Sequence, residues 1–184
     1  MRKLKCFYFE LSRGRLPRYI EMDKNYDSNP FFLSVLAIMG TTFDGKYARL
    51  FDGETFFIHD RHSQEDAPTI VFLHGFAANL DFYHPLMQHM KGKEGACHLL
   101  SLDWYGFGFS EVYHEKDYDI ELYMRQLRDL LVHVGSKENN IIVGHSMGGL
   151  LAAHFASKFP EMVNELILLS PSALPYDIFD ALSK

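Results

Sequence analysis

The feature that most constrains this sequence is residues 144–149, Gly-His-Ser-Met-Gly-Gly, which follow directly on the apolar segment 140–143. Segment 140–143 is typical of a strand, and the apolar residues within 150–156 are typical of a helix. The glycines on either side of the serine avoid collisions that side chains would make with the adjoining backbone. The pattern therefore predicts a sharp strand-to-helix turn that exposes the Ser146 hydroxyl at the end of the strand.

The predicted turn has the form of a nucleophile elbow. Gly144 and Gly148 allow the tight bend, and the Met147 N–H stands at a helix N-terminus. That N–H would point toward the place where an oxyanion forms on an attacked carbonyl group. The alternative is a glycine-rich turn of a non-catalytic protein. The strand before the turn and the helix after it favour the elbow.

Composition narrows the class of protein and its partners. The chain has 184 residues, of which 47% are hydrophobic and 15% aromatic, enough for one domain with a substantial core. Its net charge is −6, with 18 basic and 24 acidic residues and no basic stripe, so we expect no nucleic-acid partner. Cys6 and Cys97 are far apart and make neither a metal-binding nor a redox spacing. They fit a reducing compartment, and we expect a cytoplasmic location.

The N-terminal residues show no clear period. We expect 1–44 to form an N-terminal extension and 45–184 to form the main domain. The basic start at 1–5 does not continue into the core of a signal peptide, because charged residues interrupt it. The apolar segment 31–39 has about half the length of a spanning helix. We therefore predict that this segment is a buried or surface-packed helix and not a transmembrane segment. A weak contact with a membrane surface is the alternative.

The rest of the chain alternates between strand and helix patterns. Continuous apolar runs suit a parallel sheet that helices cover on both faces. These runs are 69–73, 97–102, 140–143 and 166–169. Apolar residues within 120–134 recur at helical spacing, and 81–90 is a weaker helix with Pro85 allowed only in its first turn. The alternation predicts an α/β fold with a mostly parallel sheet.

A hairpin is predicted ahead of this alternation. Segments 47–51 and 54–58 read as strands, and Asp52 and Gly53 stand between them. An Asp-Gly pair adopts the positive φ angles of a tight turn at low cost. The sheet should therefore be mixed, with an antiparallel pair at its start.

Two further motifs follow predicted strands. His74, Gly75 and Phe76 come directly after 69–73. A glycine in the middle lets the backbone bend, so that the Phe76 N–H can face the predicted elbow as a second oxyanion donor. An ordinary glycine between a strand and a loop is the alternative.

The second motif is the loop 103–110 after the next strand. Gly106 and Gly108 permit a tight crossing loop. We interpret Asp103 and Ser110 as residues whose hydrogen bonds hold that loop. A catalytic Asp103 is the alternative.

Taken together and in this order, the three motifs resemble the α/β-hydrolase family, above all its small esterases, monoacylglycerol-lipase-like enzymes and α/β-hydrolase-domain proteins. The resemblance covers about residues 45–175. It implies that Ser146 is the nucleophile, that the Phe76 and Met147 amides form the oxyanion hole, and that Gly75 lies with them against the substrate. It implies structural roles for His74, Asp103, Gly106, Gly108, Gly144, His145 and Gly148.

The sequence departs from the family pattern in two places. Ala77 and Ala78 stand where the family often has further glycines. In the family, the acid and the histidine follow the nucleophile in chain order. Here segment 171–184 resembles the start of the lid region, so we expect the last two strands, the triad acid and the histidine to be absent from a truncated chain. A serine without its base is a weak nucleophile.

The titratable residues that are present are weak substitutes. His154 would lie roughly 12 Å along a helix axis from Ser146, beyond hydrogen-bond reach. The turn should aim His145 elsewhere. His74 is the better candidate by geometry, because its strand should neighbour the strand before Ser146, but we expect it to bond loop backbone in a structural role. Asp177 could imitate the acid, but it would have no histidine to orient.

The resemblance implies hydrolysis of carboxylic esters of lipid or other apolar acyl groups, with neither a metal nor an organic cofactor. This chain alone would then have little or no activity. The alternatives are a non-catalytic binding protein, or another reaction on the same fold such as that of a lyase or a cofactor-free peroxidase. A dehalogenase is disfavoured, because its carboxylate nucleophile would have to occupy position 146. The expected partner is a small ester or lipid, and the strand at 166–169 is predicted to be an apolar edge open to self-association.

Overall fold

The computed structural model divides the chain into two units, Met1–Asp44 and Gly45–Lys184. The residues that the structure describes are 4–6, 20–22, 45–91, 96–113 and 118–172. In the first unit, strands β1 (Leu4–Cys6) and β2 (Ile20–Met22) pair antiparallel. The helix predicted at 31–39 lies outside the described residues.

The described residues of the second unit form a six-stranded sheet in the order β3-β4-β6-β5-β7-β8. Its elements are β3 (Lys46–Arg49), β4 (Glu54–Asp60), β5 (Thr69–Leu73), α1 (His84–Met90), β6 (His98–Leu102), α2 (Ile120–His133), β7 (Asn140–His145), α3 (Met147–Lys158) and β8 (Val163–Leu169). Strand β4 pairs antiparallel with β3 and with β6, and the remaining pairs are parallel. The sheet is therefore mixed and mostly parallel.

Apolar side chains cover both faces of the sheet, because successive residues of a strand point to opposite sides. On one face, Val71 of β5 belongs to the same buried cluster as Leu127 of α2 and Phe155 of α3. On the other face, Phe72 packs against Tyr83, which directly precedes α1, with 5.1 Å between ring centroids. The continuous apolar runs are explained by this two-sided burial.

The turn of the β3–β4 hairpin differs from its prediction. Arg49 pairs with Glu54, so the loop has four residues instead of two. Neither Asp52 nor Gly53 has a positive φ. The Asp52 carboxylate forms an ion pair with Arg125 of α2, at 2.8 Å. A contact with a distant helix, which the local sequence does not reveal, accompanies the wider turn.

The helix predicted over 81–90 is interrupted. A 3₁₀ turn at Leu80–Phe82 precedes α1, and the Asn79 side chain accepts the Asp81 N–H at 3.1 Å to begin it. Pro85 lies in the first turn of α1, where its missing N–H costs no helical hydrogen bond. None of the helices in the described ranges combines the length and the apolar character that a membrane crossing requires.

Strand β8 forms one edge of the sheet. It begins at Val163, earlier than predicted, and pairs with β7. Its side chains Ile167 and Leu169 are 42% and 41% exposed. An apolar strand is thus accessible at this edge among the described residues.

Candidate active site

Ser146 occupies a strained turn between β7 and α3. Its φ of 52° and ψ of −119° are costly for a residue with a side chain. Four backbone hydrogen bonds hold it there. Its N–H donates to the Leu169 carbonyl at 3.1 Å, and its own carbonyl accepts the N–H groups of Gly149, Leu150 and Ser172 at 3.0, 3.1 and 2.9 Å.

Close backbone packing accounts for the glycines around this turn. A Cβ at position 148 would collide with the carbonyl oxygens of Leu73 and His74, at the end of β5. A Cβ at Gly144 would collide with the backbone of Gly148 and Gly149. The first turn of α3 therefore lies directly against the ends of β5 and β7.

The loop after β5 runs beside the serine. A Cβ at Gly75 would lie 3.0 Å from the Ser146 Cβ and 3.2 Å from the His145 carbonyl oxygen. The next side chain, Phe76, is 75% exposed. Among the described residues, the N–H groups of Phe76 and Met147 donate to no other protein group. Two free amide donors near a serine hydroxyl are what an oxyanion requires.

His145, the residue before Ser146, and His74, which follows the neighbouring strand β5, both contact other groups. The His145 ring stacks on Phe82, with centroids 5.0 Å apart and planes 18° from parallel. The His74 imidazole is fully buried: its Nδ1 donates to the Gly75 carbonyl at 2.9 Å and its Nε2 accepts the Trp104 N–H at 3.2 Å. Burial lowers the pKa of His74 to about 4, so the ring is neutral at neutral pH.

Asp103 connects the loops that follow β5 and β6. One carboxylate oxygen accepts the Leu80 N–H at 2.7 Å and the other accepts the Phe109 N–H at 2.8 Å. The side chain is wholly buried, and burial raises its pKa to about 7 although these two bonds favour the charged form. Substrate has no access to this carboxylate in the structure.

The other motif residues of this loop surround Asp103. Gly106 and Gly108 have φ angles of 82° and 51°, and Gly108 packs against the Asp103 carboxylate. The Ser110 hydroxyl donates to the Asp103 carbonyl at 2.6 Å and accepts the Phe56 N–H at 2.9 Å. The loop is therefore tied to the core of the sheet.

One residue near the serine has no signal in the sequence pattern. The Ser172 hydroxyl lies 3.5 Å from the Ser146 hydroxyl. In the part of the chain that the structure describes, it is the side chain that comes within hydrogen-bond distance of the Ser146 Oγ. The contact depends on the pairing of β7 with β8, which a linear motif does not contain. Asp177 lies outside the described residues.

Across the described ranges, no group of three or more histidine, cysteine or acidic side chains is arranged to hold a metal ion. Among the described residues, the groups of the candidate site are the Ser146 and Ser172 hydroxyls and the backbone amides of Phe76 and Met147.

The family pattern described as the alpha/beta hydrolase fold matches residues 68–183. The chain belongs to this family. The predicted fold is thereby confirmed. Among curated proteins it is similar to epoxide hydrolase 4 of Mus musculus, 25% identical over 125 residues, and to lipase 1 of Psychrobacter immobilis, 32% identical over 100 residues. These matches cover 67% and 54% of this chain, but 34% and 30% of the relatives. The chain thus spans about a third of their length.

A solved structure agrees with this assignment. The crystal structure of a membrane phospholipase A superposes with a TM-score of 0.65 at 25% sequence identity, covering 78% of this chain and 46% of that one.

Proposed function

We propose that this chain carries the nucleophile and the oxyanion hole of a serine hydrolase that acts on carboxylic esters. The observation that carries the proposal is the strained Ser146 turn, together with the Phe76 and Met147 amides, which donate to no protein group among the described residues. A strained residue persists only where its surroundings hold it, and such residues are concentrated at active sites.

In the proposed reaction the Ser146 oxygen attacks the ester carbonyl carbon, and its proton passes to a histidine base. The negative charge that develops on the carbonyl oxygen is stabilised by the Phe76 and Met147 N–H groups. The alcohol leaves with the proton from the base, and water then releases the acyl group by the same route. No metal or organic cofactor takes part.

The base is the part of this mechanism that the described residues do not supply. No histidine among them hydrogen-bonds to the Ser146 hydroxyl. We therefore expect this chain alone to show little or no turnover. The same observation favours a second candidate, a non-catalytic protein that binds apolar ligands at this site.

An ester with an apolar acyl group is the substrate class that fits best. Phe76 and Phe82, which lie near the serine turn, are 75% and 46% exposed. Relatives described as a lipase and a phospholipase A agree with a lipid ester. Exposed aromatic side chains also support the predicted weak contact with a membrane surface. The cytoplasmic location stays a prediction.

A fluorophosphonate probe tests the proposal. We expect the wild-type chain to be labelled at Ser146, slowly because no histidine among the described residues hydrogen-bonds to its hydroxyl, and the Ser146→Ala variant to be unlabelled. Ser157→Ala, which removes a half-buried hydroxyl of α3, is the matched control and should be labelled like the wild type. A folded wild-type chain that never reacts would favour the binding protein. A panel of substrates separates hydrolysis from other reactions on this fold. It contains esters with labelled acyl groups, lyase substrates and peroxidase substrates.

A further inference from the structure

The turn that follows β8 contacts the serine turn through its backbone. The Ser146 N–H donates to the Leu169 carbonyl, and the Ser172 N–H donates back to the Ser146 carbonyl, at 3.1 and 2.9 Å. These two bonds join the backbone of Ser146 to both ends of the segment 169–172. Any displacement of residues 169–172 would therefore move or release the strained Ser146 backbone.

The middle of this turn is held in place as well. A Cβ at Gly149 would lie 2.9 Å from the Pro171 Cβ, so the proline ring packs on the first turn of α3. Proline has a fixed φ, which removes one degree of freedom next to Ser172. The position of Ser172 relative to Ser146 is thus set by packing and by backbone bonds, independently of its hydroxyl.

The side chains of the two serines meet at this point. Their hydroxyl oxygens are 3.5 Å apart, at the upper limit for a hydrogen bond, and either can donate. Both side chains are half-buried. If Ser172 donates, the Ser146 hydroxyl keeps its own proton for a base, and a lone pair of its oxygen is directed by the bond.

We propose that Ser172 is a positioning residue that holds the Ser146 hydroxyl in one rotamer for attack. This inference rests on the proposed function, since it gives Ser172 a part in the reaction of Ser146. Ser172 acts through Ser146 and does not touch the reacting carbonyl group. Its contribution is that of one neutral hydrogen bond.

The first test compares the rates at which variants react with the fluorophosphonate probe. Ser172→Ala should lower the maximal labelling rate about two- to tenfold, the effect of one such bond, and leave the affinity for the probe unchanged. Ser172→Thr keeps a hydroxyl and should restore the rate. Ser170→Ala is the matched control, because it removes an exposed hydroxyl from the same turn. An equal loss in Ser170→Ala, or no loss in Ser172→Ala, would overturn the proposal.

A second readout does not need the serine to react. The three-bond couplings between the Hα and Hβ protons of Ser146, measured by NMR, report its χ1 angle. We expect one staggered rotamer in the wild type and in Ser172→Thr, and averaging over rotamers in Ser172→Ala. Identical couplings in all three proteins would overturn the role of Ser172. A wild type that shows one rotamer but is never labelled would instead count against the proposed function alone.

Discussion

At the scale of single residues, backbone strain is concentrated near the candidate site. Four non-glycine residues in the described ranges have a positive φ, and three of them, Ala77, Ser146 and Ser170, follow strands β5, β7 and β8. Each such conformation costs about 1–3 kcal/mol. Ala77 has a φ of 56° at a place where the family often has glycine. The loop therefore adopts a conformation that glycine favours, although the residue is alanine.

Two buried titratable residues have opposite effects on how stability depends on pH. Burial raises the pKa of Asp103 from 3.8 to about 7, so the folded chain holds a proton that the unfolded chain releases, and the free energy of unfolding rises as the pH falls through this window. Burial lowers the pKa of His74 from 6.5 to about 4. The unfolded chain then binds the additional proton, and the free energy of unfolding falls as the pH falls from 6.5 toward 4.

Replacing Asp103 should reveal the effect of His74 on how the free energy of unfolding depends on pH. In the wild type, protonation of Asp103 offsets the effect of His74 as the pH falls, and Asp103→Asn lacks this offset. When the pH is lowered from about 7 to about 5, we expect the free energy of unfolding of the variant to decrease by about 2 kcal/mol relative to that of the wild type. Urea unfolding at both pH values measures this difference. Each protein is compared with itself, so the loss of hydrogen bonds at Asp103 cancels. An identical pH dependence in both proteins would show that Asp103 does not titrate in this range.

At the scale of elements, the sequence predicts those whose burial pattern is local. The strands at 69–73 and 140–143 and the helix at 120–134 follow from runs and spacings that burial on one or two faces produces. The turn at Asp52 and the break before α1 were predicted wrongly. The turn is accompanied by the distant Asp52–Arg125 ion pair and the break by the Asn79 side-chain cap, and the apolar pattern records neither contact.

The same division holds for the site. The glycine motifs predict where the backbone bends, because only glycine allows those close approaches. The contact between Ser146 and Ser172 is invisible in the sequence, since it arises from the pairing of β7 with β8.

The packing of α3 on β5 depends on Gly148. A Gly148→Ala substitution places a Cβ against the Leu73 carbonyl oxygen, and such overpacking costs about 1–3 kcal/mol. The higher helix propensity of alanine offsets this by about 1 kcal/mol at most. We therefore expect a lower free energy of unfolding and loss of fluorophosphonate labelling, measured on the same sample.

Gly135→Ala is the matched control for this substitution. Gly135 has a φ of 83°, but a Cβ there meets nothing within 4 Å. We expect a loss of stability from backbone strain alone, with labelling retained. Unchanged labelling in Gly148→Ala would argue that the position of α3 does not matter to the serine.

At the scale of the whole molecule, strand β8, which is an edge of the sheet among the described residues, predicts self-association. An unpaired apolar edge is a template for another strand, and a lysine on the edge opposes that pairing. Ile167→Lys should shift sedimentation-velocity profiles toward the monomer. Val132→Lys, on the outer face of α2, is the control, because Val132 is 49% exposed and is not on a strand. A wild type that remains monomeric at all concentrations would contradict the prediction.

The proposed chemistry depends on one arrangement, in which two backbone amide donors converge beside the Ser146 hydroxyl. The most direct measurement is a crystal structure of the chain after reaction with a fluorophosphonate. We predict phosphorus bonded to the Ser146 Oγ, with the phosphoryl oxygen about 2.7–3.1 Å from the backbone nitrogens of both Phe76 and Met147. A phosphoryl oxygen that bonds to neither nitrogen, or a label on another residue, would contradict the account.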